Sequence, residues 1–295
     1  MIEVLRDVLK GKRADYWQDR IVSQLEFALK LSELNSGIYN GLITSTEQYV
    51  IDCFKKEGVI GRETVVRAEE MLRSISGEAK KFKVLCAAHA HIDMNWMWKW
   101  DETVAITLDT FQTMLDLMNE YPCFKFSQSQ ASVYKIVEKY NPEMLEEIKE
   151  RVNEGRWEVT ASTWVEGDKN MPSGESLARH ILYTKRYLSG LLGIDPGSLK
   201  LDFEPDTFGH SRNVPEVLSE GGVKYYYHSR GNKETSLYIW KAPSGASIIA
   251  YRDPYFYCGR IDSSLASAVL DYYKKFGIDT MLRVYGVGNH GGGPT

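Results

Sequence analysis

Histidine and aspartate stand one residue apart at His91 and Asp93, within the string HAHIDMNWMWKW. At a strand end, a side-chain period of two puts both on the same side, so an imidazole nitrogen and a carboxylate oxygen can share one ion. Zn²⁺ accepts both donor types and usually takes three or four protein ligands. His89 is in phase with the pair, and one of the three residues fits equally well as support for a ligand. Asp206, in DFEPDTFGHS, is a second acidic strand end and offers a third ligand. An aspartate held by a metal and a nearby arginine stays ionised at neutral pH, which suits a nucleophile or a ligand and not a general acid. The competing readings are structural: buried histidines that satisfy backbone groups, and an Asp206 that caps the short helix after it. Glu204 reads as a buried partner of Arg212 or Arg230.

Trp96, Trp98 and Trp100 follow the His–Asp pair. A tryptophan at the mouth of a polar site supplies a flat face for a sugar ring, and Trp96 is placed for it. Trp98 and Trp100 read better as residues packing the next helix. Arg230 ends its own predicted strand and is either a surface arginine or a bidentate partner of the Asp206 carboxylate. The last residues, GNHGGGPT, are glycine-rich but lack the Lys-Ser/Thr of a phosphate loop and precede no helix pattern, so nucleotide binding is rejected. Close approach of a substrate to the backbone explains these glycines better.

What must position these residues is legible as a change of pattern. The first ~78 residues carry apolar positions at helical spacing, such as Ile21, Leu25 and Ala28, and no strand pattern. From residue 83 short apolar runs alternate with helical stretches. The runs are Val84–Ala88, Phe124–Ser127, Trp157–Ala161, Leu199–Phe203, Lys224–His228, Ser247–Tyr251 and Met281–Val287. Helices are expected at about 103–120, 131–153, 174–192, 214–220 and 263–276. This alternation predicts an α/β fold with a mostly parallel sheet: a seven-stranded (β/α) barrel over residues 81–295, preceded by a small helical domain over 1–80. An open doubly wound sheet is the alternative. Either fold places chemistry beyond the C-terminal strand ends, where five of the six histidines fall, His180 being the exception. Glu166 and Asp168 fall there too, in the loop after the third run.

The chain's 295 residues are 43% hydrophobic and 26% charged, ordinary for a soluble enzyme. Its formal charge of −4, with no basic block, argues against nucleic acid or an anionic membrane as partner. The four cysteines are far apart with no metal-finger spacing, no stretch reaches the ~18 apolar residues of a membrane span, and the N-terminus lacks a signal-peptide core. The expectation is a cytoplasmic protein.

The motifs HAHIDMNW, EPDTFGHS and GVGNHGGGPT, in that order, resemble the catalytic domain of glycoside hydrolase family 38, the retaining α-mannosidases, and within it the cytosolic and bacterial branch with a GGGPT loop. The resemblance covers about 83–295. It implies hydrolysis of terminal α-mannosides of oligosaccharides at a divalent ion, zinc or in some members cobalt, bound by His91, Asp93 and Asp206. Asp206 would also attack the anomeric carbon to give a covalent mannosyl intermediate. Trp96 would stack beneath the mannose ring, and Arg230 would sit beside the nucleophile. The resemblance further implies a fourth ligand, a histidine, beyond the GGGPT loop, so the barrel is expected to be incomplete at its C-terminus. Asn289 stands where many relatives carry an acid/base aspartate, which leaves His290 or Asp253 for that role. A homo-oligomer is compatible with the sequence. The rival functions are a metal-dependent amidohydrolase, needing both His89 and His91 as ligands, and a fragment that binds sugar or metal without turnover.

Overall fold

Asp15 opens the helix that begins at Tyr16, its carboxylate accepting from the Gln18 amide at 2.8 Å and satisfying one of the donors left bare at a helix start. The computed structural model describes residues 15–231 and 233–288 together with Leu5, Leu9 and Gly293. The chain divides into two compact units, Met1–Leu85 with Ile261–Met281 and Cys86–Arg260 with Leu282–Thr295. In the first unit, α1 (Tyr16–Leu34) buries Ile21, Leu25, Ala28 and Leu31 on one stripe. Helices α2 (Asn40–Glu57) and α3 (Arg62–Met71) follow, then a 3₁₀ turn and the single-turn α4 (Ser76–Ala79). The later helix α10 (Ser264–Phe276) belongs to this unit: Lys30 Nζ meets Asp271 at 2.5 Å, and Tyr273 packs edge-on against Phe82, centroids 5.2 Å apart.

The second unit holds the strand–helix alternation. In chain order it comprises α5 (Trp100–Glu120), β2 (Phe126–Gln128), α6 (Ala131–Tyr140), α7 (Pro142–Asn153), β3 (Trp157–Val159) and α8 (Gly174–Leu192). These are followed by β4 (Leu201–Glu204), α9 (Val214–Glu220), β5 (Tyr225–His228), β6 (Leu237–Lys241) and β7 (Ser247–Arg252). Two strands run across the boundary of the units, β1 (Lys83–Ala88) and β8 (Thr280–Tyr285). The predicted 131–153 helix is two helices, because Pro142 disfavours helical geometry at Asn141, whose side chain instead caps α7 by accepting from Met144 N at 3.1 Å. One core is aromatic: Trp157 lies 5.0 Å from Phe111 and 4.9 Å from Phe126, and its indole N–H donates to Tyr134 Oη at 3.0 Å. A buried indole is affordable only with such a partner.

The seven-stranded barrel is not what forms. Among the described residues the strands make three separate sheets: β1 with β8, β2 with β3, and a four-stranded sheet in the order β4-β5-β7-β6. The pairs β2/β3, β4/β5 and β5/β7 are parallel, but β6 is antiparallel to β7, so the largest sheet is mixed. Strands β2 and β3 are only three residues long, and β1 reaches β2 through one isolated bridge, His89 to Ser127. Between β3 and β4 side chains do what a ladder would do in a barrel: Ser162 Oγ donates to Asp202 at 2.7 Å and Thr163 Oγ1 to Glu204 at 2.9 Å. The four strand ends that carry the candidate residues still fall in this one unit. No described helix is long and apolar enough to cross a membrane.

Candidate active site

Strand β4 carries Asp202 and Glu204 into the interior, both with no exposed surface, and releases Asp206 just past its end. Strand β5 is parallel to β4 and delivers Arg230 two residues beyond its own end. The two meet: Arg230 Nε donates to Asp206 Oδ1 at 2.6 Å and to the Asp206 carbonyl at 3.2 Å, with Nη2 also 2.6 Å from Oδ1. Of the two readings of Arg230, the pairing with Asp206 is what forms, but both nitrogens converge on one oxygen and make no two-oxygen fork. The guanidinium lies over Phe208 at 4.3 Å and faces the Phe256 ring at 5.6 Å, contacts that hold its plane. Asp206 caps no helix, since α9 begins only at Val214 after Asn213.

His91 is 2% exposed and is held by a residue to which the sequence reading gave no role. Its Nε2 lies 2.6 Å from Glu166 Oε2, and its Nδ1 is 3.9 Å from Asp93 Oδ1. The other oxygen of Glu166 accepts the Asp206 backbone amide at 2.5 Å. Glu166 thus joins the two motifs that carry the candidate chemistry. Burial opposes charge on His91, but the Glu166 carboxylate, aided by Asp93 and Asp206, outweighs it and lifts the imidazole above the usual histidine pKa. Position alone could have flagged Glu166, which follows the third apolar run in a loop of the predicted kind; a lone glutamate has no motif.

His89 behaves otherwise. Its Nδ1 is 3.0 Å from the Ser127 carbonyl, its ring packs 4.5 Å from Phe203, and burial drives its pKa down to about 3, so it is a neutral imidazole tying β1 to β2. His228 is likewise neutral, with a pKa lowered to about 4 chiefly by burial, its nitrogens on the Arg230 carbonyl at 2.6 Å and Tyr238 Oη at 2.9 Å. Of the two histidines an amidohydrolase would need, His89 spends Nδ1 on a backbone carbonyl and only His91 faces the acids. Asp253 is also engaged on both oxygens, by Tyr227 Oη at 2.6 Å and Tyr255 N at 2.8 Å. His290 and Asn289 lie outside the described residues.

Behind Asp206 is a buried ionic group. Lys169 is 3% exposed, with Nζ 2.7 Å from Glu204 Oε1 and 3.3 Å from Asp202 Oδ2. Lysine, not Arg212 or Arg230, is therefore the partner of Glu204. Burial works against the ammonium, but the two carboxylates outweigh it and hold it charged; burial pushes Glu204 well up, as befits two acids sharing one cation. Glu204 Oε2 accepts from Thr207 Oγ1 at 2.7 Å, which fastens the residue next to Asp206.

These groups wall a cavity of about 460 Å³ that Asp93, Trp96, Glu166, Asp168, Asp206 and Arg230 help to line. Trp96 stands at its mouth, 59% exposed, with its ring edge-on to Trp98. A larger groove of about 960 Å³ beside α8 is lined by Trp164, His180 and Tyr187 and contains none of the converging acids, so the chemistry belongs to the smaller cavity. For a divalent ion the donor chemistry fits at His91 and Asp93. The imidazole has its other nitrogen on a carboxylate, the usual support of a metal-bound histidine. No group of three or more His, Cys, Asp or Glu side chains stands in ion-holding geometry among the described residues, Asp206 being engaged with Arg230.

Residues 81–295 match the glycosyl hydrolases family 38 N-terminal domain. The chain belongs to this family. Its relatives include "Alpha-mannosidase G" of Dictyostelium discoideum, 34% identical over 223 residues that make 72% of this chain and 20% of that protein. "Alpha-mannosidase 2C1" of Homo sapiens is 28% identical over 228 residues, 74% of this chain and 22% of the relative. The chain spans about a fifth of the length of the curated relatives it matches. Among solved structures, an alpha-mannosidase from Enterococcus faecalis V583 superposes with a TM-score of 0.64 at 21% identity, over 72% of this chain and 26% of that one, a likeness of fold. The family 38 N-terminal fold thus stands here as short, separate sheets rather than as a closed ring of seven strands.

Proposed function

We propose that this chain carries the reacting residues of a retaining α-mannosidase acting on terminal α-mannosides of oligosaccharides. The observation that carries the reading is Asp206 on a cavity wall, gripped by Arg230 through Oδ1 alone, with the Glu166-supported His91 and Asp93 on the same cavity or directly behind it. Family membership supports the substrate class.

In this reading Asp206 Oδ2, the oxygen Arg230 does not hold, attacks the anomeric carbon as the glycosidic bond breaks. The sugar is then joined to Asp206 as an ester, and water releases it with its configuration retained. The leaving oxygen takes its proton from His290 in GNHGGGPT. Trp96 offers its exposed ring to the apolar face of the sugar. His91 and Asp93 would hold a divalent ion, zinc by donor type with cobalt as the alternative, with Asp206 the third ligand that the family resemblance implies, and such an ion would supply a grip on vicinal sugar hydroxyls. Proton NMR of aryl α-mannoside hydrolysis tests the mechanism: α-mannose is expected as the first product, and Asp206→Asn is expected to abolish turnover. Initial β-mannose, or a near-normal rate in the variant, would overturn it.

A further inference from the structure

Three non-glycine residues among those described have a φ in the left-handed range, and two stand at this site: Gln130 at 66° and Phe256 at 71°. Gln130 links β2 to α6 with ψ 117°, a backbone conformation that a side-chain-bearing residue adopts only when its surroundings impose it. The side chain is not used to cap α6. It is 2% exposed and spends both polar atoms on two other loops: Nε2 donates to the Ile92 carbonyl at 2.8 Å, and Oε1 accepts from the Glu166 amide at 3.0 Å. Ile92 lies between His91 and Asp93, and Glu166 is the carboxylate shared by His91 and the Asp206 amide.

We infer that Gln130 is a positioning residue of this site, a carboxamide clamp that sets the spacing between the His91–Asp93 segment and the Glu166–Asp206 pair. The inference rests on the function proposed above. Asparagine would be one methylene short of spanning both partners, and glutamate would have no hydrogen to give to the Ile92 carbonyl. Neighbouring backbone bonds, Ala131 N to Thr163 O at 3.2 Å and Ser132 N to Trp164 O at 2.9 Å, bring the loops together without touching either reacting segment. The glutamine reaches both segments, alongside the direct bond between His91 and Glu166. Its strained backbone is the cost of aiming that side chain away from its own helix.

Two variants separate positioning from mere structure. Gln130→Met keeps the bulk and removes both hydrogen bonds, whereas Gln130→Gly removes them and also relieves the backbone, which offsets part of the stability lost with the bonds. With an aryl α-mannoside, both are expected to lose about 10²-fold in kcat, the size of effect that sub-ångström to ångström misplacement produces, with KM nearly unchanged. The melting temperature of Gln130→Gly is expected to stay close to wild type. Zn²⁺ affinity by titration calorimetry is expected to fall in both variants. A wild-type kcat in either variant, or losses that track melting temperature alone, would overturn the clamp. If the unaltered chain turns over no mannoside, the proposed function falls, and the clamp is judged on zinc: weaker binding in the variants sustains it, equal or absent binding in all three removes it.

Discussion

Glu166 illustrates how one side chain can determine what its neighbour is able to do. With its carboxylate on Nε2 of His91, the hydrogen sits on that nitrogen and the neutral ring carries its lone pair on Nδ1, the atom 3.9 Å from Asp93. Ion binding at Nδ1 would displace a proton from this imidazole, whose pKa is raised, so affinity should rise with pH. Glu166→Gln can present N–H to Nε2 and force the opposite tautomer. A loss of about 10–100-fold in Zn²⁺ affinity is expected, the usual cost of removing a carboxylate behind a metal-bound histidine. Calorimetry with the wild-type and Gln chains checks it, and equal affinities would remove Glu166 from this role. Residues of this kind are the hardest to see in a sequence. HxHxD and the DTFGHS loop announce themselves by spacing and type, and the structure brings His91, Asp93, Asp206 and Arg230 together. Gln130 and Glu166 belong to no motif, and their importance arises only from where two folded loops place their polar atoms.

At the scale of elements, the loop between β3 and α8 is bound to β4 by charge. Lys169 pairs with Asp202 and Glu204 in a place where all three are buried. Breaking a buried group by removing one partner typically costs about 3–5 kcal/mol, whereas replacing the whole group by apolar side chains can be near neutral. Lys169→Met is therefore expected to lose stability of that order in urea unfolding, and a triple change with Asp202→Leu and Glu204→Leu to recover most of it. Additive losses would show that the three do not act as a unit. This loop also shows why strand existence was legible and strand neighbours were not. Apolar runs located seven of the eight strands among the described residues, β6 being missed because its short alternation follows a polar KETS stretch. A run does not say which strand lies beside it. Here Ser162, Thr163 and Lys169 bond to acids on β4 through side chains, a connection invisible to hydrophobic patterning, and the closed barrel did not follow.

Across the whole molecule, the buried histidines are the groups through which acid acts against the fold. His89 and His228, with pKa values lowered to about 3 and about 4, are neutral in the fold, and His180 and His210 are also lowered, chiefly by burial. The unfolded chain binds protons at these groups below about pH 6.5, where the folded chain does not, so their contribution is complete above that pH and is lost as pH falls. Each fully shifted histidine contributes a slope of up to about 1.4 kcal/mol per pH unit in its window. His91 has the opposite sign, since its raised pKa favours the fold as protons are added below the shifted value. The carboxyls of Glu47, Glu204 and Asp253, raised chiefly by burial, act with His91 as pH falls, so the ring contribution is isolated by comparison with His228→Gln: the wild-type melting temperature minus that of the variant should fall between pH 6.5 and 4, measured by calorimetry in low salt. A flat difference over that interval would contradict the burial of this ring.

The division into units also bears on synthesis. Helix α10 and its buried Val269, Leu270 and Tyr272 complete the unit that begins at the N-terminus, although they are encoded after nearly the entire second unit. Vectorial synthesis normally lets a domain made earlier fold before one made later. Here α1 to α3 keep an apolar stripe uncovered until the segment ending at Met281 has been made, and the unit holding the cavity waits in turn for the segment that begins at Leu282, so each unit is completed only after most of the other has been made.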